Sequence, residues 1–281
     1  MIYSYPVLFI SVFVVCVLSV ASYFDIKNRE VPDFLSYFLI SGGAFLSLLL
    51  AIYNGNLSNL VYFPASVAVL FGFAYLMYFL GQWGGGDVKL MLGLAFVFTA
   101  LNIYSNFSFV AVFINTLVFG GVYGLLGTIT FGLLKFKLLK KYLRSYDIGI
   151  IIIGVAAIAS FLLYLPSPIS YLSAFAAFLF VSMRYIYLVA ENLMYVEVPV
   201  AKLTEGDWLV NDVKDEKGSI IVERRNTGLI PEDLEKLSHS KIKRVLVKIG
   251  LPFVPGVLLG VLITLIFGNP LLQIISSTIV I

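Results

Sequence analysis

Long stretches without any charged side chain constrain the fold of this chain more than any other feature. A helix needs about 20 mostly apolar residues to cross a lipid bilayer. Only 12% of the residues are charged, whereas soluble domains contain about 25%. The sequence therefore predicts an integral membrane protein that crosses the bilayer several times. The uncharged stretches are residues 6–24, 34–53, 61–80, 90–134 and 148–183.

Two of these stretches are too long for one crossing, and short polar or helix-breaking segments divide them. NIYSN (102–106) divides the first, PSP (166–168) divides the second, and Asn269-Pro270 interrupts a last apolar run at 251–281. We predict an all-α polytopic membrane protein with about eight transmembrane helices, although seven or nine also fit the pattern. The predicted helices are residues 6–24, 34–53, 61–80, 88–103, 107–134, 148–165, 169–190 and one helix within 251–281.

A charged segment near the C-terminal end predicts a small α+β subdomain on the cytoplasmic face. It contains most of the charged residues of the chain. Short strands are predicted on both sides of the turn DEKG (215–218) and in KIKRVLVKIG, and a short helix is predicted to begin at Pro231. This subdomain either receives the substrate or braces the helices. The predicted organisation is 1–134 for catalytic membrane helices, 135–190 for a basic loop and further helices, 191–250 for the subdomain, and 251–281 for a C-terminal helix and tail.

The distribution of lysine and arginine predicts the orientation in the membrane. Lys27 and Arg29 lie in the first loop, and five basic residues lie within 135–144. The alternate loops 54–60, 102–106 and 166–168 contain none. Basic loops face the cytoplasm in most membrane proteins. The pattern therefore places both chain termini outside a multi-pass protein of the cell membrane.

Two aspartates stand where apolar sequence ends. Asp25 lies in YFDIKNREVPDF after the first predicted helix, and Asp87 lies in GQWGGGDVKLML after the third. Two crossings separate them, so both lie on the cytoplasmic side. Two carboxyl groups that approach closely share one proton, so one is ionised and the other protonated. Such a pair can hydrolyse a peptide by general acid–base catalysis.

The three glycines before Asp87 favour this interpretation. Glycine lacks Cβ and adopts positive φ angles readily. Gly84, Gly85 and Gly86 are therefore predicted to form a sharp bend and to let an extended peptide lie beside Asp87.

The scarcity of histidine and cysteine excludes several other hydrolase classes. The only histidine, His239, lies in the charged segment, so neither an HExxH zinc site nor a Ser–His pair within the helices can form. The only cysteine, Cys16, provides neither a disulfide framework nor a thiolate metal site. We therefore expect no metal, no cofactor and no nucleic-acid partner.

The motifs DIKNREVPD and GGGD, two helices apart, resemble those of the GxGD membrane aspartyl peptidases. More narrowly, they resemble the type IV prepilin peptidases, including the archaeal preflagellin peptidases. The resemblance covers about 1–135 and, more loosely, 196–262. It implies that Asp25 and Asp87 are the catalytic acids.

The same resemblance implies that the partners are membrane-tethered precursors of pilin or archaellin type. Their short leader would be cut from an apolar helix at the cytoplasmic membrane boundary. There are two departures from the family pattern. The cysteines of the zinc domain found in many bacterial members are missing, and Asp33 replaces the usual Asn after the Val-Pro motif.

Further residues near the two acids are candidates for substrate binding. The glycines leave room for a peptide, and the basic side chains flank the acids. The enrichment of lysine and arginine in cytoplasmic loops alone also explains why basic side chains lie there. The candidates are Gly84, Gly85, Gly86, Lys27, Arg29 and Lys89.

Two other functions use the same aspartates. A presenilin-like protease would cut inside a transmembrane span of its substrate. A transporter would use the acids to carry protons or cations. The position of the acids at one edge of the membrane, instead of its midplane, argues against both.

Overall fold

The computed structural model describes residues 5–55, 57–104, 109–164, 169–216 and 218–270. The dividing segment PSP, part of NIYSN and nearly all of the predicted C-terminal tail lie outside these described residues.

Each of the eight predicted apolar segments contains a helix, and two short helices are added to them. Five of the described helices are long and apolar enough to cross a membrane: α1, α2, α5, α7 and α8, while α3 and α10 are shorter apolar helices. The predicted polytopic membrane fold is therefore confirmed. The helices are α1 (Tyr5–Asn28), α2 (Asp33–Tyr53), α3 (Tyr62–Phe79), α4 (Gly85–Tyr104), α5 (Phe109–Leu134), α6 (Phe136–Leu139), α7 (Ser145–Tyr164), α8 (Ile169–Asn192), α9 (Pro231–Ser238) and α10 (Val254–Phe267).

The helix α4 lies at the centre of the bundle. It packs against α2 and α3, while α10 packs between α1 and α5. Phe98 and Leu94 of α4 are fully buried among these neighbours. Apolar side chains on the outer faces remain exposed, as expected for contact with lipid; Leu134 is 82% exposed and Ile153 is 71% exposed.

The helices α7 and α8 are joined by an ion pair near the beginning of α7. Asp147 is fully buried, and its carboxylate accepts a hydrogen bond of 2.7 Å from Nε of Arg184. A buried charge needs such a partner. This contact fixes α7 on α8, and α8 in turn packs against α5.

The charged segment forms the predicted α+β subdomain. Its three-stranded antiparallel sheet has the order β1-β5-β2, with Tyr195 opposite Lys248, and β3 pairs with β4 in a second sheet. The predicted helix begins at Pro231, as the sequence indicates. The strands are β1 (Tyr195–Pro199), β2 (Trp208–Leu209), β3 (Val213–Lys214), β4 (Ile220–Val222) and β5 (Arg244–Lys248).

Candidate active site

Asp25 lies in the last turn of α1 and is buried, with 6% of its surface exposed. The helix ends three residues later because Arg29 adopts a left-handed backbone with a φ of 61°. Pro32 then precedes the first residue of α2, Asp33, and proline disfavours a helical conformation of the residue before it. The loop between α1 and α2 is therefore short and holds Asp25 at one end of the bundle.

Asp87 lies in the first turn of α4 and contacts the start of its own helix. The backbone N–H of Gly84 donates a hydrogen bond of 3.0 Å to Oδ2 of Asp87. An acid at the third helical position commonly accepts this bond from the N-cap residue. Asp87 therefore stabilises the beginning of α4 as well as presenting its carboxyl group.

The sharp bend predicted at the three glycines lies earlier in the chain. Gly81 has a φ of 68°, whereas Gly84, Gly85 and Gly86 have no positive φ. A Cβ at Gly81 would lie 2.8 Å from the carbonyl oxygen of Asn226 in the subdomain. The expectation of a bend at the triple glycine was wrong because Gly85 and Gly86 already belong to α4.

The triple glycine lies beside the loop that follows Asp25. A Cβ at Gly86 would lie 3.4 Å from Cβ of Val31, in the loop that follows Asp25. A Cβ at Gly84 would lie 3.6 Å from Oδ2 of Asp87, and one at Gly85 would meet nothing within 4 Å. An added methyl group would therefore meet only ordinary contacts at these positions, whereas a larger side chain at Gly86 would press against Val31.

Asp25 and Asp87 line one cavity of about 740 Å³. Their carboxyl groups are near enough to interact electrostatically. The cavity lies between the end of the helix bundle and the subdomain. Besides the two acids, it is lined mainly by residues 28–33, 82–86, 204–208 and 248–253.

The predicted basic residues differ in their placement. Lys89 lines the cavity, but its amine forms an ion pair with both oxygens of Asp33, at 2.7 and 2.8 Å. Arg29 lines the cavity and donates a hydrogen bond to the carbonyl oxygen of Gly250. Lys27 is not among the lining residues, and its amine lies 3.4 Å from the hydroxyl of Tyr23.

Acidic groups outnumber basic groups on the cavity wall. The subdomain contributes Glu205 and Asp207, and the loop after α1 contributes Glu30. Burial raises the pKa of the Asp207 carboxyl, although a hydrogen bond from the backbone N–H of Thr204 opposes this rise. Lys248, also on the wall, pairs with Glu191 at 3.4 Å. Within the described part of the chain, no three His, Cys, Asp or Glu side chains are grouped as metal ligands would be.

A comparison with protein families covers the part of the chain that contains both aspartates. Residues 12–125 match the type IV leader peptidase family. The resemblance of the N-terminal helices is thereby confirmed, and the matched region indicates a peptidase. The looser resemblance of 196–262 lies outside the matched residues and stays a prediction. No significant match was found among curated proteins or among solved structures.

Residues beyond the leader peptidase region also reach Asp25 and the loop that follows it, and the sequence did not indicate them. The backbone N–H of Val254 donates a hydrogen bond of 2.8 Å to Oδ2 of Asp25. Thr204 donates a hydrogen bond of 2.7 Å to Glu30. Backbone donors have no side-chain signature, and the partners are far apart in sequence, so no local pattern indicates these contacts.

Proposed function

We propose that the protein is a membrane aspartyl endopeptidase that removes the short leader of type IV pilin-like or archaellin precursors. The observation that carries the proposal is the common cavity of Asp25 and Asp87, which come from two different helices. Their inclusion in the leader peptidase match supports it.

The geometry suits hydrolysis by two carboxyl groups without a covalent intermediate. One aspartate, ionised, takes a proton from water, and the other, protonated, donates a proton to the carbonyl oxygen of the scissile peptide. A peptide must be extended there, because helical carbonyl groups are engaged in intrahelical hydrogen bonds. Gly84, Gly85 and Gly86 would lie beside this peptide, with Lys89 and Arg29 at the edge of the cavity.

The proposed cleavage lies at the cytoplasmic boundary of the membrane. Asp25 is at the end of α1 and Asp87 at the beginning of α4. The basic segment that follows α5 and the subdomain that follows α8 belong to the same side if every long helix crosses the membrane. The positive-inside rule assigns this side to the cytoplasm.

The proposal is tested by incubating the purified protein with several leader-bearing precursors and measuring product masses. The expected product lacks a short polar leader, with the cut directly before the apolar helix. Asp25→Asn and Asp87→Asn should each reduce cleavage by at least about a thousandfold, since each removes one partner of the acid–base pair. Asp33→Asn should retain most activity, because its carboxylate pairs with Lys89.

Three outcomes would contradict the proposal. Near wild-type cleavage by either single variant would exclude the aspartate pair. A cut mapped several residues inside the apolar helix would favour the presenilin-like function. A protein that cleaves none of the precursors, but moves protons or cations in vesicles through Asp25 and Asp87, would be a transporter.

A further inference from the structure

The hydrogen bond between Val254 and Asp25 joins the two ends of the described chain inside the protein. The backbone N–H of Val254 lies 2.8 Å from Oδ2 of Asp25, in buried surroundings. Val254 is the first residue of α10, a helix of 14 residues. The beginning of a helix carries a partial positive charge and unpaired N–H groups, both of which stabilise a carboxylate.

Two further contacts hold the segment 250–254 in this place. The carbonyl oxygen of Gly250 accepts a hydrogen bond from Arg29. The ring of Phe253 lies 4.3 Å from the ring of Trp83, which directly precedes the triple glycine. The segment therefore contacts the loop after Asp25 and also the turn that leads to Asp87.

The helix α10 is itself fixed by close packing on α5. A Cβ at Gly256 would lie 3.0 Å from Cα of Gly120. A Cβ at Gly260 would lie 2.5 Å from Cα of Thr116. Only glycine allows so short a distance between the two backbones, so the packing of α10 determines where the N–H of Val254 points.

The two aspartates are therefore held differently. Asp25 accepts a donor from another helix and lies near the guanidinium of Arg29. Asp87 accepts its donor from Gly84, at the beginning of its own helix. The other groups that act electrostatically on Asp25 are Asp87 of α4 and the phenol of Tyr123 of α5, whereas α10 contributes only backbone groups. Burial opposes ionisation of both carboxyl groups, but Arg29 and the donors of the segment 250–254 make Asp25 easier to ionise than Asp87, whose described donor is Gly84.

We propose that the segment 250–254 positions Asp25 and keeps it ionised, so that Asp25 is the base and Asp87 the acid of the hydrolysis proposed above. The inference rests on that proposed function. Asp25 removes a proton from water, and the water oxygen bonds to the scissile carbonyl carbon. Asp87 at the same time gives its proton to the carbonyl oxygen.

The second half of the reaction restores both groups. Asp25 passes the proton that it gained to the leaving nitrogen, and the carbon–nitrogen bond breaks. Asp87 takes back a proton from a hydroxyl group of the tetrahedral intermediate as the new carboxyl group forms. Water and peptide are thus converted to acid and amine, and each aspartate ends in the state in which it began.

The first test removes the N–H of Val254 and keeps the helix. Val254→Pro deletes the N–H, and proline is well accepted at the first position of a helix, while Val254→Ala keeps the N–H and serves as the matched control. We expect Val254→Pro to lower kcat about tenfold or more and to move the acidic limb of the pH–kcat profile up by about one unit. Val254→Ala should keep the wild-type profile. Equal profiles for the two variants would overturn the proposal.

A second pair of variants decides the matter if Val254→Pro does not fold. Arg29→Gln removes the contact with Gly250 and the positive charge near Asp25. Arg244→Gln is the matched control. It also removes one positive charge, but Arg244 lies in β5 near Glu197 and outside the cavity. The acidic limb should move up for Arg29→Gln and stay in place for Arg244→Gln, and a limb unmoved in both would overturn the proposal. Failure of the proposed function is distinguished from this result, because the wild-type protein would then cleave no precursor.

Discussion

At the scale of single residues, the Asp87 carboxyl has two roles. It accepts a backbone hydrogen bond at the beginning of α4, and it takes part in the proposed chemistry. Its Oδ2 accepts the N–H of Gly84 and so satisfies a donor at the beginning of α4. Loss of such a cap costs about 0.5–2 kcal/mol. Asparagine retains an oxygen for this bond, which is why Asp87→Asn separates chemistry from folding better than Asp87→Ala would.

Gly86 provides a prediction about the space between α4 and the loop after α1. A Cβ at Gly86 meets Val31 at 3.4 Å, which is an ordinary contact, whereas the extra methyl groups of valine would press against Val31. We expect Gly86→Val to lower kcat by about tenfold, or about 1.4 kcal/mol in activation free energy, and Gly86→Ala to retain most activity. Steady-state cleavage of one precursor by both variants measures this difference. Wild-type turnover by Gly86→Val would show that the close approach does not matter.

The raised pKa of the Asp207 carboxyl leads to a prediction about how the stability of the protein depends on pH. Burial raises the pKa of its carboxyl in the folded protein. The folded state therefore gains stability from this group below the unfolded pKa of about 3.9, and this gain is lost as the pH rises through the higher folded value. Thermal unfolding in detergent should show that the wild-type protein loses more stability between about pH 4 and pH 7 than Asp207→Asn does. Parallel pH dependences for the two proteins would contradict this cause.

At the scale of elements, the packing of α10 on α5 predicts a contrast between two glycines. A Cβ at Gly260 would lie 2.5 Å from a backbone atom of Thr116, whereas a Cβ at Gly121 meets nothing within 4 Å. Gly260→Ala should lower the free energy of unfolding by about 1–3 kcal/mol because the helices must separate. Gly121→Ala should be neutral or stabilising, since alanine favours a helix more than glycine does. Thermal unfolding of both variants measures the contrast, and equal Tm values would exclude close packing at Gly260.

The elements themselves could be predicted from the sequence because their signals are local. Apolar length and the polar segments that divide it placed the eight apolar helices, and Pro231 followed by Glu232 and Asp233 placed α9. The bend before α4 could not be placed in this way. Three consecutive glycines indicated it at Gly84, Gly85 and Gly86, but the contact that requires a glycine at Gly81 comes from Asn226, which is distant in sequence.

At the scale of the whole molecule, the orientation in the membrane is a prediction that labelling can test. Four variants each carry one new cysteine. It replaces Asn54 or Tyr164, at the ends of α2 and α7, or Lys137 or Lys214, in α6 and β3. The background is Cys16→Ser, because the native cysteine is exposed on α1. A maleimide that cannot cross the membrane should label the first two positions from outside intact cells and leave the other two unlabelled. The reverse pattern would place the aspartates outside.

The candidate site was predictable only in part. The number of crossings between Asp25 and Asp87 indicated that both lie on one side, and the cavity contains both. The ion pair of Asp33 and Lys89 and the donor from Val254 were not indicated. These contacts depend on how α2, α4 and α10 approach one another, and hydropathy along a single helix contains no information on that approach.

The bond from Val254 to Asp25 has a consequence for the order of synthesis. The two residues are 229 positions apart, so the ribosome delivers both acids long before it delivers the donor. Until α10 has been inserted, the nascent chain carries the two carboxyl groups without their final arrangement. Under the proposed function, the nascent chain therefore reaches its full proteolytic activity only after translation has passed the subdomain.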